Sequence, residues 1–141
     1  MANPAWHERD DTVALDTTIT LTNALSPELP EDPFAVLTAL LAVDPPSTEG
    51  LRRHHVTAFH ALSLRLREII EFLDRRDVDD AALRINEMLV EYPARPHLAK
   101  EDGQWRLHHH PIEAELVAMW SAITADALAR LIGAGRADRA G

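Results

Sequence analysis

From Thr12 to Leu25 the apolar residues fall on odd positions: Val13, Leu15, Ile19, Leu21 and Leu25. Thr17, Thr18, Thr20 and Thr22 add β-branched residues between them. Alternation with threonine predicts a half-buried strand. Ser26 to Pro33 then reads as a loop with prolines at 27, 30 and 33. Asp32-Pro33 is a helix start, with Asp as the cap and Pro at the first helical position. It predicts a short helix over Phe34 to Val43, stopped by Pro45-Pro46.

Ser47 or Thr48 then caps a long helix running to about Arg75. Its seam is Leu51, His55, Phe59, Leu62, Leu66, Ile69 and Leu73, whose steps of three and four describe one helix face. Asp77 caps a third helix, with Asp79 and Asp80 in its first turn and Val78, Ala82, Ile85 and Leu89 as its seam. Tyr92-Pro93 ends it.

Asp102-Gly103 sits between two short alternating segments. That pair favours the two-residue hairpin turn in which both positions need positive φ. The turn sets a register: Lys100 faces Trp105, Leu98 faces Leu107, and His97 faces His108. One face then holds Leu98, Trp105 and Leu107, the other His97, Ala99, Arg106, His108 and His110. A last helix opens at Pro111, carries Ile112, Leu116, Met119, Trp120, Ile123, Ala127, Leu128 and Leu131, and closes at Gly133. These elements predict an α+β domain, mainly helical with about four helices. A small antiparallel sheet containing the hairpin near 97–108 packs on the helical layer. Residues 1–11 and 134–141 are expected to be flexible ends of a single domain over 1–141.

Length and composition narrow the picture. The 141 residues suffice for one domain with its own core. Hydrophobic residues are 46% and charged residues 26%, a globular profile. Cys is 0, which removes thiol catalysis and thiolate metal sites. The net charge of −9 argues against direct DNA binding by this chain alone, since phosphate contacts need a basic face. Nine of the acids and one base, Arg9, lie in residues 1–50, an acidic face able to dock a partner. The first residues lack the basic and apolar regions of a signal peptide, and the longest apolar run, Ala35 to Val43, is too short to span a bilayer. A cytoplasmic location with no membrane contact is the expectation.

The order of elements carries a resemblance. A Leu/Arg-rich helix, Leu62-Ser63-Leu64-Arg65-Leu66-Arg67-Glu68-Ile69-Ile70, precedes a short helix. A hairpin of the type Pro-x-Leu-x-x-x-Asp-Gly-x-Trp-x-Leu follows, running from Pro96 to Leu107. The last helix carries Trp120-Ser121-Ala122-Ile123-Thr124-Ala125-Asp126-Ala127-Leu128. Over about residues 50–135 the chain resembles the ABATE domain, the N-terminal part of the CGNR zinc-finger proteins. Those are bacterial proteins described as stress-induced transcription regulators. The resemblance implies the sensor half of a regulator. In that family a Cys-rich finger follows the last helix and is taken to contact DNA. With Cys 0, this sequence offers no residue onto which that role carries over.

Two sets of side chains could bear chemistry. Three apolar elements, the long helix, the last helix and the hairpin, each present large side chains. His55, Phe59, Trp105, Met119 and Trp120 are the candidate lining of a pocket for a small apolar ligand or a protein partner. Trp105 and Trp120 are expected to be buried and near one another. The second set is His97, His108 and His110. Cross-strand imidazoles with an i+2 neighbour can reach one Zn²⁺, Ni²⁺ or Cu²⁺ ion, although a merely polar strand face has the same composition. Asp74, Asp77, Asp79 and Asp80 lack the glycine and distal Glu of a Ca²⁺ loop and read as helix capping. Arg65, Arg67, Arg75 and Arg76 are interleaved with acids, a pattern of ion pairing on a solvated face. No nucleophile elbow, phosphate loop or His-Glu-x-x-His motif is present. The function expected is therefore a non-catalytic regulatory, ligand-sensing or protein-interaction domain. The alternative is a metal-binding protein or small metalloenzyme using the hairpin histidines.

Overall fold

A computed structural model describes residues 4–93, 97–108 and 116–134. Among these residues are six α-helices: α1 (Pro4–Leu25), α2 (Pro33–Leu40), α3 (Pro45–Gly50), α4 (His55–Asp74), α5 (Val78–Glu91) and α6 (Leu116–Gly133). Two short strands, β1 (His97–Glu101) and β2 (Gln104–His108), pair with each other and, among the described residues, with no other strand. The chain is mostly helical. The expected α+β class, with about four helices packed against a sheet, is not what forms.

The largest correction is α1. Residues 12–25, expected as a strand, are helical. The buried positions are Thr17, Thr18, Leu21, Thr22 and Leu25, at helical rather than alternating spacing. Val13 and Ile19, which carried the alternation, are 40% and 41% exposed. Thr18 and Thr22 are accommodated on the buried face because their hydroxyls are satisfied within the helix. Thr18 donates to the Ala14 carbonyl at 2.7 Å and Thr22 to the Thr18 carbonyl at 2.8 Å. Ser26 donates to the Thr22 carbonyl one turn later.

The helical stretch that begins at Pro33 ends at Val43, as expected, but the prolines at 45 and 46 also open a helix. They occupy the first turn of α3, where a missing N–H costs nothing. Leu51 then turns extended, with ψ of 133°, so α4 starts at His55 and neither Ser47 nor Thr48 caps it. The remaining local signals form as the residues dictate. Asp32 Oδ1 accepts from the Ala35 N–H at 3.2 Å with Pro33 at the first helical position. α2 tightens into a 3₁₀ turn over Leu41–Val43. Asp77 Oδ1 accepts from the Asp80 N–H at 3.3 Å to start α5.

The core lies among four helices. α4 packs on α1 and α5, and α6 packs on the same two and also on α4. Phe59, Leu62, Leu66, Ile69 and Leu73 supply the α4 seam, and Ala81, Ile85 and Met88 that of α5. α6 buries small residues, among them Ser121, Ala122, Thr124 and Ala125, which let its neighbours approach closely. Ser121 and Thr124 satisfy their hydroxyls on the Val117 and Trp120 carbonyls at 2.8 and 2.7 Å. Leu116–Gly133 is also long and apolar enough to cross a membrane by length and composition, a property the sequence reading missed. Its nine buried side chains give that apolarity a role inside the bundle.

The strand expected at 12–25 is instead the helix that packs on α4 and α6. Among the described residues, no third strand joins the hairpin.

Candidate functional site

Of the five residues expected to line one pocket, Phe59, Met119 and Trp120 belong to one core cluster, His55 is half-buried and Trp105 is exposed. Phe59 is fully buried and Trp120 is 3% exposed, both inside the core. Met119 is half-buried and packs against that core. His55 is half-buried at the start of α4, where its Nδ1 accepts from the Arg52 N–H at 2.9 Å and its ring lies 4.2 Å from that of His54. Trp105 is 66% exposed. The expected burial of Trp105 beside Trp120 is thus overturned. Where a ligand cavity was expected, Phe59 and Trp120 are core side chains.

Trp120 makes a contact that sequence reasoning missed. Its indole Nε1–H donates to Ser47 Oγ at 2.9 Å, and Ser47 in turn donates to Asp44 Oδ2. Ser47 is 1% exposed. A buried indole needs an acceptor, and here it comes from a short helix 73 residues earlier in the chain. Among the described residues, Ser47 has a carboxylate acceptor on one side and an indole donor on the other. Its work is to tie α3 to α6.

The hairpin stands apart from the core. Asp102 and Gly103 have φ of 49° and 77°, the two positive values the tight turn requires. The Cα partners are His97 with His108, Leu98 with Leu107, Ala99 with Arg106, and Lys100 with Trp105. Leu98, Trp105 and Leu107 share one face by this register, at 63%, 66% and 59% exposure. The pairing puts the backbones of His97 and His108 opposite one another. Their side chains, and all of His110, lie outside the described residues. Among the described residues, no three His, Asp or Glu side chains converge on a metal-sized space.

The charged clusters resolve into pairing. A groove of about 240 Å³ between α4 and α5 is lined by Arg65, Glu68, Ile69, Arg84 and Glu87. Arg84 bridges Glu68 at 2.7 Å and Glu87 at 3.3 Å, and Arg65 bridges Glu91 at 2.6 Å. These pairs are exposed, so each is worth little in stability, and their polarity suits no apolar ligand. Arg53 and Arg75 stack over Phe34 and Phe72 at 4.7 and 5.0 Å. Asp77 caps α5, and its carboxyl holds that of Asp80 above the ordinary carboxylate range, first by a side-chain hydrogen bond and then by its charge.

Comparison with known proteins adds no relative: no protein-family model matches the chain, and no curated protein matches it.

Proposed function

We propose that this chain is a non-catalytic regulatory domain that works by contact with another protein. That is one of the roles implied by its resemblance to the ABATE half of stress-response regulators. The observation that carries the reading is the exposed apolar face of the hairpin. Three large apolar side chains side by side on a two-stranded ribbon form a patch of the kind that marks interaction sites. Protein contact is preferred over capture of a small apolar ligand because the apolar hairpin face is exposed, whereas Phe59 and Trp120 lie in the buried core cluster. A cytoplasmic setting suits such a regulator.

A photo-crosslinking residue placed at Leu107 tests this in cells. The expected result is an adduct of discrete mass that disappears in Trp105→Glu. No adduct, or one indifferent to Trp105→Glu, overturns the reading.

The hairpin histidines support a second reading, a site for Zn²⁺, Ni²⁺ or Cu²⁺. The Cα pairing of His97 with His108 favours it, because opposite residues in a ribbon have β-carbons about 5 Å apart. Elemental analysis of untagged protein decides it. One equivalent of metal, lost in His108→Ala, supports the site; metal-free protein after incubation with each ion refutes it.

A further inference from the structure

We propose that His55 is a proton-sensitive cap on α4: neutral, its ring holds the turn that joins α3 to α4, and protonated, it lets that turn open. The inference is independent of what the hairpin contacts.

The geometry of the turn carries it. His54 is already helical, with φ of −67° and ψ of −15°, so the first turn of α4 begins near Arg52. The Arg52 carbonyl accepts from the His55 N–H at 3.0 Å, and the Arg53 carbonyl from the Val56 N–H at 3.2 Å. In the opposite direction, the Arg52 N–H donates to His55 Nδ1 at 2.9 Å. A side chain reaching back three residues to a free N–H is one half of a capping box, a place usually held by Glu or Gln. Here an imidazole has that place. A backbone N–H only donates, so Nδ1 must offer its lone pair, and the neutral ring carries its proton on Nε2. In the imidazolium both nitrogens carry hydrogen, and the Arg52 N–H then meets another donor.

The surroundings add to the effect. The first turn of α4 contains no acid, and a positive charge there opposes the helix dipole. The His54 ring lies 4.2 Å from that of His55. The Arg52 guanidinium turns back onto the Glu49 and Leu51 carbonyls at 2.8 and 2.9 Å, and that of Arg53 lies over Phe34 of α2 at 4.7 Å. Among the described ionisable groups around α4, Asp16 of α1, Glu28 and Glu31 of the following loop and Glu49 of α3 are exposed, and Asp32 caps α2. Arg84, Glu87 and Glu91 of α5 join the ion pairs with Arg65 and Glu68, further along α4, and Asp126 pairs with Arg130 on α6.

His60, on the same helix, is the contrast. Its Nε2 lies 3.1 Å from the Pro27 carbonyl, which only accepts, so that nitrogen carries a proton in both charge states and the bond survives. What opens is bounded on both sides. Leu51, 3% exposed, precedes the turn, and α3 before it is tied to α6 through Ser47 and Trp120. Phe59, one turn into α4, is fully buried. Acid therefore frees one connector and leaves the helical core assembled.

Nuclear magnetic resonance on the full chain, from about pH 8 to about pH 5, spans the range in which imidazoles change charge. Ring ¹⁵N shifts of His55 read its tautomer and charge. Solvent exchange of the Arg52 amide reads the turn, and that of the Leu66 amide reads the interior of α4. The neutral ring should be the Nε2–H tautomer, and Arg52 protection should fall about fivefold as the ring charges, the loss of one hydrogen bond. Leu66 protection should stay in place. His55→Gln keeps an acceptor that does not titrate and should hold Arg52 protection flat, while His60→Gln should leave the fall unchanged. A neutral ring protonated on Nδ1, flat protection in wild type, or a fall that persists in His55→Gln each overturns the inference. A fall shared by Leu66 is general unfolding and overturns it too, as does a fall abolished by His54→Gln but not by His55→Gln. If His55→Gln fails to fold, the wild-type tautomer and the two amides still decide.

Discussion

Replacing Trp120 by Phe removes one indole N–H and the five-membered part of a ring that is 3% exposed. Two costs add. The Ser47 hydroxyl loses the donor 2.9 Å away while remaining buried, a loss of about 1–2 kcal/mol. The smaller ring leaves space the bundle fills only in part, for about another 1–2 kcal/mol. The sum, roughly 2–4 kcal/mol, is a large share of the stability of one domain. Ser47→Ala strands the same N–H from the other side and also frees Asp44, for about 1–3 kcal/mol. Urea unfolding of the two single variants and the double variant, followed by far-UV circular dichroism, forms a cycle. The coupling expected is about 1 kcal/mol, because the second substitution removes a partner already lost. Trp105→Ala is the contrast. Had Trp105 filled the core it would cost about 3–5 kcal/mol; at 66% exposure it should cost under about 1 kcal/mol at low protein concentration. Equal costs at Trp105 and Trp120, or a cycle with no coupling, would refute the placement of these two rings.

Three further outcomes are expected. Arg76 links α4 to α5 with φ of 61°, so Arg76→Gly should stabilise by about 0.5–1 kcal/mol in the same urea assay, and a loss of stability would count against left-handed strain there. Asp80 holds its proton more tightly folded than unfolded. Its contribution is therefore complete below pH 3.8 and is lost as pH rises through the raised value. The stability of wild type relative to Asp80→Asn should fall across that window, and a difference that rises or stays flat refutes the carboxyl pairing with Asp77. With a net charge of −9, the chain should show no duplex DNA binding at physiological salt by fluorescence anisotropy; micromolar binding that weakens steeply with added salt would contradict this.

Where the sequence alone decided the structure, the signal was local. Asp32 before Pro33, and Asp77 before Val78, start helices because a side chain three residues away satisfies an otherwise free N–H. Asp102-Gly103 makes its turn because those two residue types tolerate positive φ, and the register follows without any help from the rest of the chain. The seam from Phe59 to Leu73 names its own buried face.

What the tertiary structure decided depended on partners far away. Residues 12–25 fit a strand when only apolar residues are counted. Packed beside α4 and α6 they are a helix, in which the buried Thr18 and Thr22 hydroxyls bond to carbonyls one turn earlier. That one element replaced an expected strand with a helix, and Trp105 on the hairpin is 66% exposed. Two tryptophans, each on an apolar face of its element, then have opposite fates. Trp120 lies on a helix facing three others and finds Ser47, 73 residues earlier, for its N–H; Trp105 lies on a ribbon that no other strand joins among the described residues. Apolar character states that a side chain gains by leaving water. Which surface receives it is settled by the packing of the whole chain.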